Sequence, residues 1–222
     1  MSESNREIIV RGVGKVTAVP DLIRLNMDLS VTEKDYETAM KIATKQLDSL
    51  RKAICSVGHN KEDIKTTRFN VSTKYEQYRE KENWKSKFVG YVCVHELSLE
   101  FDLEMALFGK TLSAISKCTA KPKFSVKFTV KDPSALSQQL LENAVENAKL
   151  KAAVLAKAAG VSLCDIVRID YNWSELHMYS KTDYLVENDV DYSVSENAPM
   201  QYGIVPEDID MTETAAITWS IK

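Results

Sequence analysis

The clearest pattern in the chain is the three- and four-residue spacing of apolar positions between Asp132 and Gly160. This spacing predicts one long helix, since Asp132 can cap the free amides of the first turn and Pro133 suits the first helical position. Gly160 suits the left-handed residue that ends a helix. Alanine dominates the apolar face, so the helix should lie close against a sheet. The positions predicted to be buried are Leu136, Leu140, Ala144, Ala148, Ala152, Leu155 and Ala159.

Apolar and polar residues alternate in several other segments, which predicts strands with one wet face. The alternation is cleanest between Ile23 and Val31. Segments 67–75 and 91–101 predict two extended strands of a hairpin whose tip projects from the body, with a charged loop around 79–85 between them. The remaining strands are predicted over 7–17, 124–130, 165–173 and 215–221.

Two further helices are predicted from apolar residues at helical spacing. The first opens at Thr32 and stops at Gly58. The second runs from Asp102 to about Lys117, and Gly109 in its interior weakens it by about 1 kcal/mol relative to alanine. The resulting order, ββα-ββ-αβα-ββ, predicts an α+β fold. We expect an antiparallel or mixed β-sheet with amphipathic helices packed on one face and a long projecting β-hairpin.

The length allows one large domain or two small ones, and since there is no obvious linker we expect a single domain over residues 1–222. The chain has 222 residues, of which 44% are hydrophobic, enough for a proper core. The single biased segment is an acidic, tyrosine-rich insertion at about 174–203. An excursion of that length is uncommon inside a compact domain, so we expect it to be either mobile or used for contact.

Charge and cysteine usage exclude several classes of protein. The net charge of −3 is spread along the chain without a basic block, which argues against nucleic acid as a partner. No apolar run reaches the roughly 18 residues of a membrane span, and the acidic start lacks the positive flank of a secretion signal. The chain as it stands is therefore expected to be cytoplasmic. The four cysteines have no metal-site spacing, so reduced thiols are expected at Cys55, Cys93, Cys118 and Cys164.

Two groups of residues resemble parts of active or metal sites. His95 and Glu96 are adjacent, but adjacent side chains on a strand point to opposite faces, so we interpret His95 as structural. Asp189, Asp191 and Ser193 resemble the start of a calcium loop. The sequence departs from such a loop at Val194, where glycine is required, and at Met200, where the bidentate acid belongs.

Two smaller features also have a structural interpretation. Gly12 and Gly14 lack the third glycine of a phosphate loop and lie between strands, which indicates a bulge or close packing. Cys164 lies beside Asp165 without a local histidine, which favours a buried thiol over a nucleophile. The sequence therefore predicts no catalytic, cofactor-binding or metal-binding residue, no cofactor, and a protein that is not an enzyme.

The order of elements, together with five short motifs, resembles the SIMPL-domain family, a bacterial domain of unknown function with relatives among kinase-associated signalling proteins. The resemblance covers nearly the whole chain. Each motif is short, and their common order makes the resemblance specific. The motifs are I-x-V-x-G-x-G at 8–14, Pro20-Asp21, IKTT at 64–67, Gly90-Tyr91, and A-x-x-x-A-x-x-K-A-x-x-L-A-x-x-x-G at 144–160.

The resemblance implies an α+β domain that self-assembles and has no established enzymatic activity. Such domains are often found in periplasmic or envelope proteins linked to stress resistance, and in one animal adaptor. The chain departs from this pattern because it shows no export signal and because segment 174–203 is longer than the usual loop.

Two hypotheses of function follow from these observations. The first is a non-enzymatic, self-associating scaffold or protein-interaction module, a homo-oligomer with a protein partner that the sequence does not identify. The second is a small-ligand binding protein or unrecognised enzyme with a pocket between the long helix and the sheet, because pockets often form between layers.

Overall fold

A computed structural model describes residues 6–80, 83–171, 178–186 and 204–222. These residues form three α-helices, one short 3₁₀ helix at Lys61–Asp63 and eight strands. The helices are α1 (Tyr36–Cys55), α2 (Met105–Ser116) and α3 (Pro133–Ala159). The strands are β1 (Glu7–Ala18), β2 (Leu22–Glu33), β3 (Ile64–Glu80), β4 (Asn83–Asp102), β5 (Lys123–Thr129), β6 (Leu163–Tyr171), β7 (Tyr179–Val186) and β8 (Ile209–Ile221).

The strands form two antiparallel sheets, which confirms the α+β class. One sheet has three strands in the order β1-β8-β6, and the other has five in the order β3-β4-β2-β5-β7. The chain accordingly divides into two compact units. The first comprises residues 1–20, 129–181 and 206–222, and the second comprises residues 21–128 and 182–205. The pattern predicted one sheet, because alternation along a strand does not show which strands are neighbours.

Helix α3 has the ends that the sequence predicted. Asp132 accepts a hydrogen bond from the Ala135 amide at 3.0 Å, Pro133 occupies the first turn, and Gly160 is left-handed with φ 70°. Its buried residues recur at every fourth position. The predicted burial of Leu155 and Ala159 is wrong, because the buried row drifts around the helix and ends on Ala156 instead. The buried residues are Leu140, Ala144, Ala148, Ala152 and Ala156.

Strand β1 lies so close to α3 that two glycines are required. A Cβ added at Gly12 would overlap the Ala144 carbonyl oxygen and lie 2.7 Å from the Ala148 Cβ, and one at Gly14 would overlap the Leu140 carbonyl oxygen. The close-packing interpretation of the G-x-G motif is therefore confirmed. The buried alanines of α3 and the two glycines of β1 therefore pack directly against each other.

The same contact closes one edge of the three-stranded sheet. Asn147 Oδ1 accepts the backbone N–H of Val13 at 3.0 Å. The Asn143 side-chain amide donates to the Lys15 carbonyl oxygen at 3.1 Å, and the Lys151 ammonium donates to the Arg11 carbonyl oxygen at 3.2 Å. Three residues spaced by four along α3 thus bond the outer edge of β1. A helix that covers an edge in this way blocks further strand pairing.

The second unit has a core between its sheet and helices α1 and α2. The alternation in β2 is confirmed, because Ile23, Leu25, Met27 and Leu29 are all buried. Phe108 of α2 packs edge-on against Phe128 of β5, with ring centroids 6.2 Å apart.

Several boundaries in the second unit differ from the prediction, including the start of α2 at Met105 rather than Asp102. Helix α1 begins at Tyr36 because Asp35 caps the Thr38 amide at 2.8 Å, whereas Thr32 belongs to β2. The predicted loop 79–85 is mostly strand, since β3 extends to Glu80 and β4 begins at Asn83.

Segment 174–203 contains a strand that the sequence did not predict, β7, at Tyr179–Val186. Most of the rest of that segment lies outside the described residues.

Candidate interaction surface

The outer half of the β3-β4 hairpin has two chemically different faces. Pairing is regular from Tyr75 opposite Phe88 to Glu80 opposite Asn83. Because side chains alternate along each strand, one face carries Tyr75 with Phe88 and, further out, Arg79 opposite Trp84. The other face carries the pairs Glu76 with Lys87 and Tyr78 with Lys85. The hairpin is therefore a ribbon with an aromatic face, which also carries Arg79, and a charged face, which also carries Tyr78.

The aromatic face is held together by ring contacts that begin in the body of the second unit. Tyr36 of α1 meets Tyr91 at 5.6 Å between centroids, Tyr91 meets Phe88 at 5.4 Å, and Phe88 meets Tyr75 at 5.6 Å. All three contacts are edge-to-face, the favoured geometry for aromatic pairs. This chain of rings supports a two-stranded ribbon, which by itself is only marginally stable in water.

Two of these rings, Tyr75 and Phe88, are open to solvent together with Trp84 on the same face. Trp84 is 69% exposed, Tyr75 57% and Phe88 39%. We call these three residues the hairpin aromatic surface. Exposed apolar patches of this kind mark interaction sites, and aromatic residues are enriched at protein interfaces. The sequence predicted a projecting hairpin but not this surface, because the faces depend on a register shift between Lys74 and Tyr75.

His95 does not form a catalytic pair with Glu96. Its Nε2 lies 2.8 Å from Thr66 Oγ1, and its ring packs edge-on to Phe69 at 5.1 Å. Burial lowers the pKa of His95, and the nearby charge of Arg51 lowers it further. Glu96 pairs with Arg68 at 3.4 Å, on the other face of the sheet. The two side chains diverge, as the sequence predicted.

A second buried histidine was not singled out from the sequence. His59 Nε2 lies 2.7 Å from the Thr111 hydroxyl, and the ring packs against Phe101 at 4.8 Å. Burial lowers the pKa of His59, and the charge of Asp63 partly opposes that shift. A neutral imidazole bonded to a hydroxyl and an aromatic ring has the surroundings of a structural residue.

The four cysteines form no disulfide with one another in the described structure. All four are free thiols. Cys93 is buried, and burial raises the pKa of its thiol. The predicted burial of Cys164 is wrong, because the residue is only half-buried, with its Sγ 3.9 Å from the Ser162 carbonyl oxygen. Within the described ranges no three His, Cys, Asp or Glu side chains come close enough to hold a metal ion. The calcium-like residues Asp189, Asp191 and Ser193 lie outside those ranges.

An open polar groove of about 500 Å³ lies on the wet face of the five-stranded sheet. Its lining includes Asn26, Lys65, Ser98 and an ion pair of 2.6 Å between Arg24 and Glu100. The charges of Arg24 and Glu100 thus compensate each other within the groove. The groove offers polar contacts.

Comparisons of the sequence with known proteins identify a family and two relatives. The family model named SIMPL, described as a protein of unknown function, matches residues 8–219. The 26 kDa periplasmic immunogenic protein of Brucella melitensis is 31% identical over 174 residues, which cover 76% of this chain and 68% of that protein. Its counterpart in Brucella abortus is 30% identical over the same shares.

The motifs that carried the resemblance include contacts seen in the structure. The I-x-V-x-G-x-G motif and the alanine run meet at Gly12 and Gly14, and a Cβ at Gly90 would overlap the Glu33 carbonyl oxygen. Among the described residues no helix is long and apolar enough to cross a membrane. The relatives are named as periplasmic, and the cytoplasmic location predicted for this chain stays a prediction. Sequence match and shared motifs together place the chain in the SIMPL family.

Proposed function

We propose that this protein is a non-enzymatic, self-associating scaffold or protein-interaction module that uses the hairpin aromatic surface for contact. The observation that carries the proposal is the exposure of Tyr75, Trp84 and Phe88 on one face of a ribbon whose other face is charged. Burial of these rings against a second surface would remove apolar area from water, and Arg79 is the one charged residue that the structure describes on the same face of the ribbon.

The second hypothesis, a ligand pocket between the long helix and the sheet, has less support. At Gly12 and Gly14 the backbone of α3 leaves no room for a methyl group. An interface packed to this density does not hold a ligand along that stretch. The absence of enzymatic activity, a link to stress and the identity of any other protein partner stay predictions.

The test is the mass of the purified chain by light scattering, at concentrations of tens of micromolar. We expect a multiple of the 25.0 kDa chain mass. Trp84→Ser should lower that mass, since this ring is the most exposed of the three. The double variant Tyr75→Ser with Phe88→Ser should lower it as well.

A matched control lies on the opposite face of the same strands. Glu76 and Lys87 form the next cross-strand pair, so the double variant Glu76→Ser with Lys87→Ser changes the ribbon equally but spares the aromatic face. Its mass should equal that of the wild type. A wild-type chain that stays at 25.0 kDa under these conditions would overturn the proposal.

A further inference from the structure

The three-stranded sheet has one edge that the described residues leave open. Its order is β1-β8-β6, so β6 pairs with β8 on one side only. No other strand described in the structure pairs with the second side of β6. The side chains of Ile166, Val167 and Ile169 on this strand are about half exposed. An edge strand with exposed apolar side chains is a template for pairing with another chain.

The hydrogen bonds of β1 show which groups of β6 point outward. Arg11, Val13 and Lys15 turn their backbone groups toward α3, so the even-numbered residues of β1 bond β8. Backbone N–H and C=O groups alternate in direction along β8, so the β8 residues that do not bond β1 bond β6 instead. These are the β8 residues that lie opposite Arg168 and Asp170. Ile169, between these two, therefore directs its N–H and C=O to the open side.

The side chains of this part of β6 divide into a charged face and an apolar face. Arg168 and Asp170 share one face and form an ion pair of 2.8 Å. Ile169 lies opposite the buried Ile217, on the face that α3 covers over β1 and β8. The Ile169 side chain is nevertheless 53% exposed, because α3 does not extend fully over β6.

We propose that β6 pairs in antiparallel register with β6 of a second copy of this chain, with Ile169 opposite Ile169. In this register Arg168 lies opposite Asp170 of the second copy, and the reverse pair forms by symmetry. The two Ile169 residues exchange backbone hydrogen bonds, and their side chains cover each other on the apolar face. The inference rests on the proposed self-association and assigns it a second surface, independent of the hairpin.

Other symmetric registers fit less well. Centring the pair on Arg168 or on Asp170 sets like charges directly opposite, which is destabilising. Centring it on Val167 requires pairing through the part of β6 where the ladder with β8 is irregular, between Leu163 and Arg168. From Arg168 to Tyr171 the ladder is regular. Charge complementarity and regular geometry therefore select the same register.

Charge exchange tests the pairing. Arg168→Asp places four acidic side chains at the symmetric contact, and Asp170→Arg places four basic ones. Each single variant should weaken association by about tenfold or more, since two attractive cross-strand pairs become repulsive. The double variant, Arg168→Asp with Asp170→Arg, restores opposite charges and should restore association. Unchanged association in the single variants, or no recovery in the double variant, would overturn the inference.

A cysteine placed on the symmetry axis tests the register. Directly opposite residues of such a pair have Cα atoms about 5.5 Å apart, within the span of a disulfide. Ile169→Cys, in a Cys164→Ser background, should therefore give a covalent dimer on mild oxidation. Ile9→Cys is the matched control, because Ile9 is an exposed residue of the same sheet on the edge strand β1. Equal cross-linking at both positions would contradict the register.

The two surfaces can be tested separately. Trp84→Ser should leave a dimer of twice 25.0 kDa that still cross-links through Ile169→Cys. Adding Arg168→Asp to Trp84→Ser should leave single chains. If Trp84→Ser leaves the mass unchanged while the β6 variants lower it, the hairpin proposal fails and the β6 pairing stands. If only the hairpin variants lower the mass, the β6 pairing fails.

Discussion

The two edge strands of the three-stranded sheet differ in whether the described residues cover their outward backbone groups. Strand β1 is closed, because Asn143, Asn147 and Lys151 of α3 bond its outward backbone groups. Strand β6 carries no such cover from the described residues, and it exposes Ile169 and its neighbours. The comparison shows that closing an edge requires both a close backbone approach and polar side chains at the right spacing.

The close approach comes from glycine and alanine alone. Gly12 and Gly14 let the backbone of α3 reach β1, and alanines at 144 and 148 keep the helix side of the contact small. Among the residues that the structure describes, nothing similar lies over β6, where Ile166, Val167 and Ile169 are branched and about half exposed.

The largest effect is expected from a methyl group added at the closed edge. Gly14→Ala forces the backbone of α3 away from β1, and overpacking that displaces backbone should cost about 3 kcal/mol or more. The neighbouring Lys15→Ala should cost less than about 0.5 kcal/mol, because that side chain is exposed. Urea unfolding of both variants measures the difference. Equal costs would mean that the helix is not seated on the glycines.

The alanine row should respond to added volume more moderately. Ala148→Leu and Ala152→Leu overfill a fully buried layer and should each cost about 1–3 kcal/mol. Glu146→Leu lies on the exposed face of the same helix and should change stability by less than about 0.5 kcal/mol. Urea melts of the three variants decide between them. If Glu146→Leu is the most damaging, the buried face has been assigned to the wrong side.

Acid should weaken the second unit, which holds His59 and His95, rather than the closed edge. The folded protein keeps both imidazoles neutral because burial lowers each pKa, whereas the unfolded chain protonates them below about pH 6.5. Stability is therefore full above that pH and falls as the pH drops through it. Each ring contributes at most about 1.4 kcal/mol per pH unit, and less where solvent screens it.

The measurement is the free energy of unfolding at pH 7.5 and at pH 5.5. His95→Gln should reduce the dependence of stability on pH in this window, and the cost of Gly14→Ala should be the same at both pH values. A His95→Gln variant whose stability falls with pH as steeply as that of the wild type would show that this ring is not kept neutral by folding.

Removal of one polar contact at the closed edge should have a smaller effect. Asn147→Ala leaves the half-buried Val13 N–H without its acceptor and should cost about 1–2 kcal/mol. Asn143→Ala frees the Lys15 carbonyl oxygen, which water can reach, and should cost about 0.5 kcal/mol. Hydrogen exchange at the Val13 amide should accelerate in the first variant and not in the second. Equal rates would mean that the Asn147 contact does not protect β1.

The smallest effect is expected at the open edge. In dilute protein, below the concentration at which copies associate, Ile169→Thr should change stability by less than about 0.5 kcal/mol, because the side chain is half exposed. Val10→Thr makes a similar change at a buried position of β1 and should cost about 1–3 kcal/mol, since it buries a hydroxyl. Thermal melts of both variants give the contrast. A costly Ile169→Thr in single chains would show that the β6 edge is covered.

The hairpin shows how far the candidate site could be read from the sequence. Alternation predicted two long strands and a projecting tip, and the described structure has both strands. The pattern placed a loop over 79–85, where Arg79 and Trp84 in fact pair across the strands. A register shift at Lys74 decides which rings share a face, and such a shift leaves no mark in the alternation of either strand alone.

Local signals determined the ends of α3 and the wet and dry sides of β2. Asp132, Pro133 and Gly160 act within one helical turn, so their effect does not depend on the rest of the chain. Tertiary structure alone decided that the buried row of α3 ends on Ala156 rather than on Leu155 and Ala159, and that β8 lies between β1 and β6. Those outcomes depend on contacts between residues more than 100 positions apart, such as Val13 and Asn147, and local spacing carries no information about them.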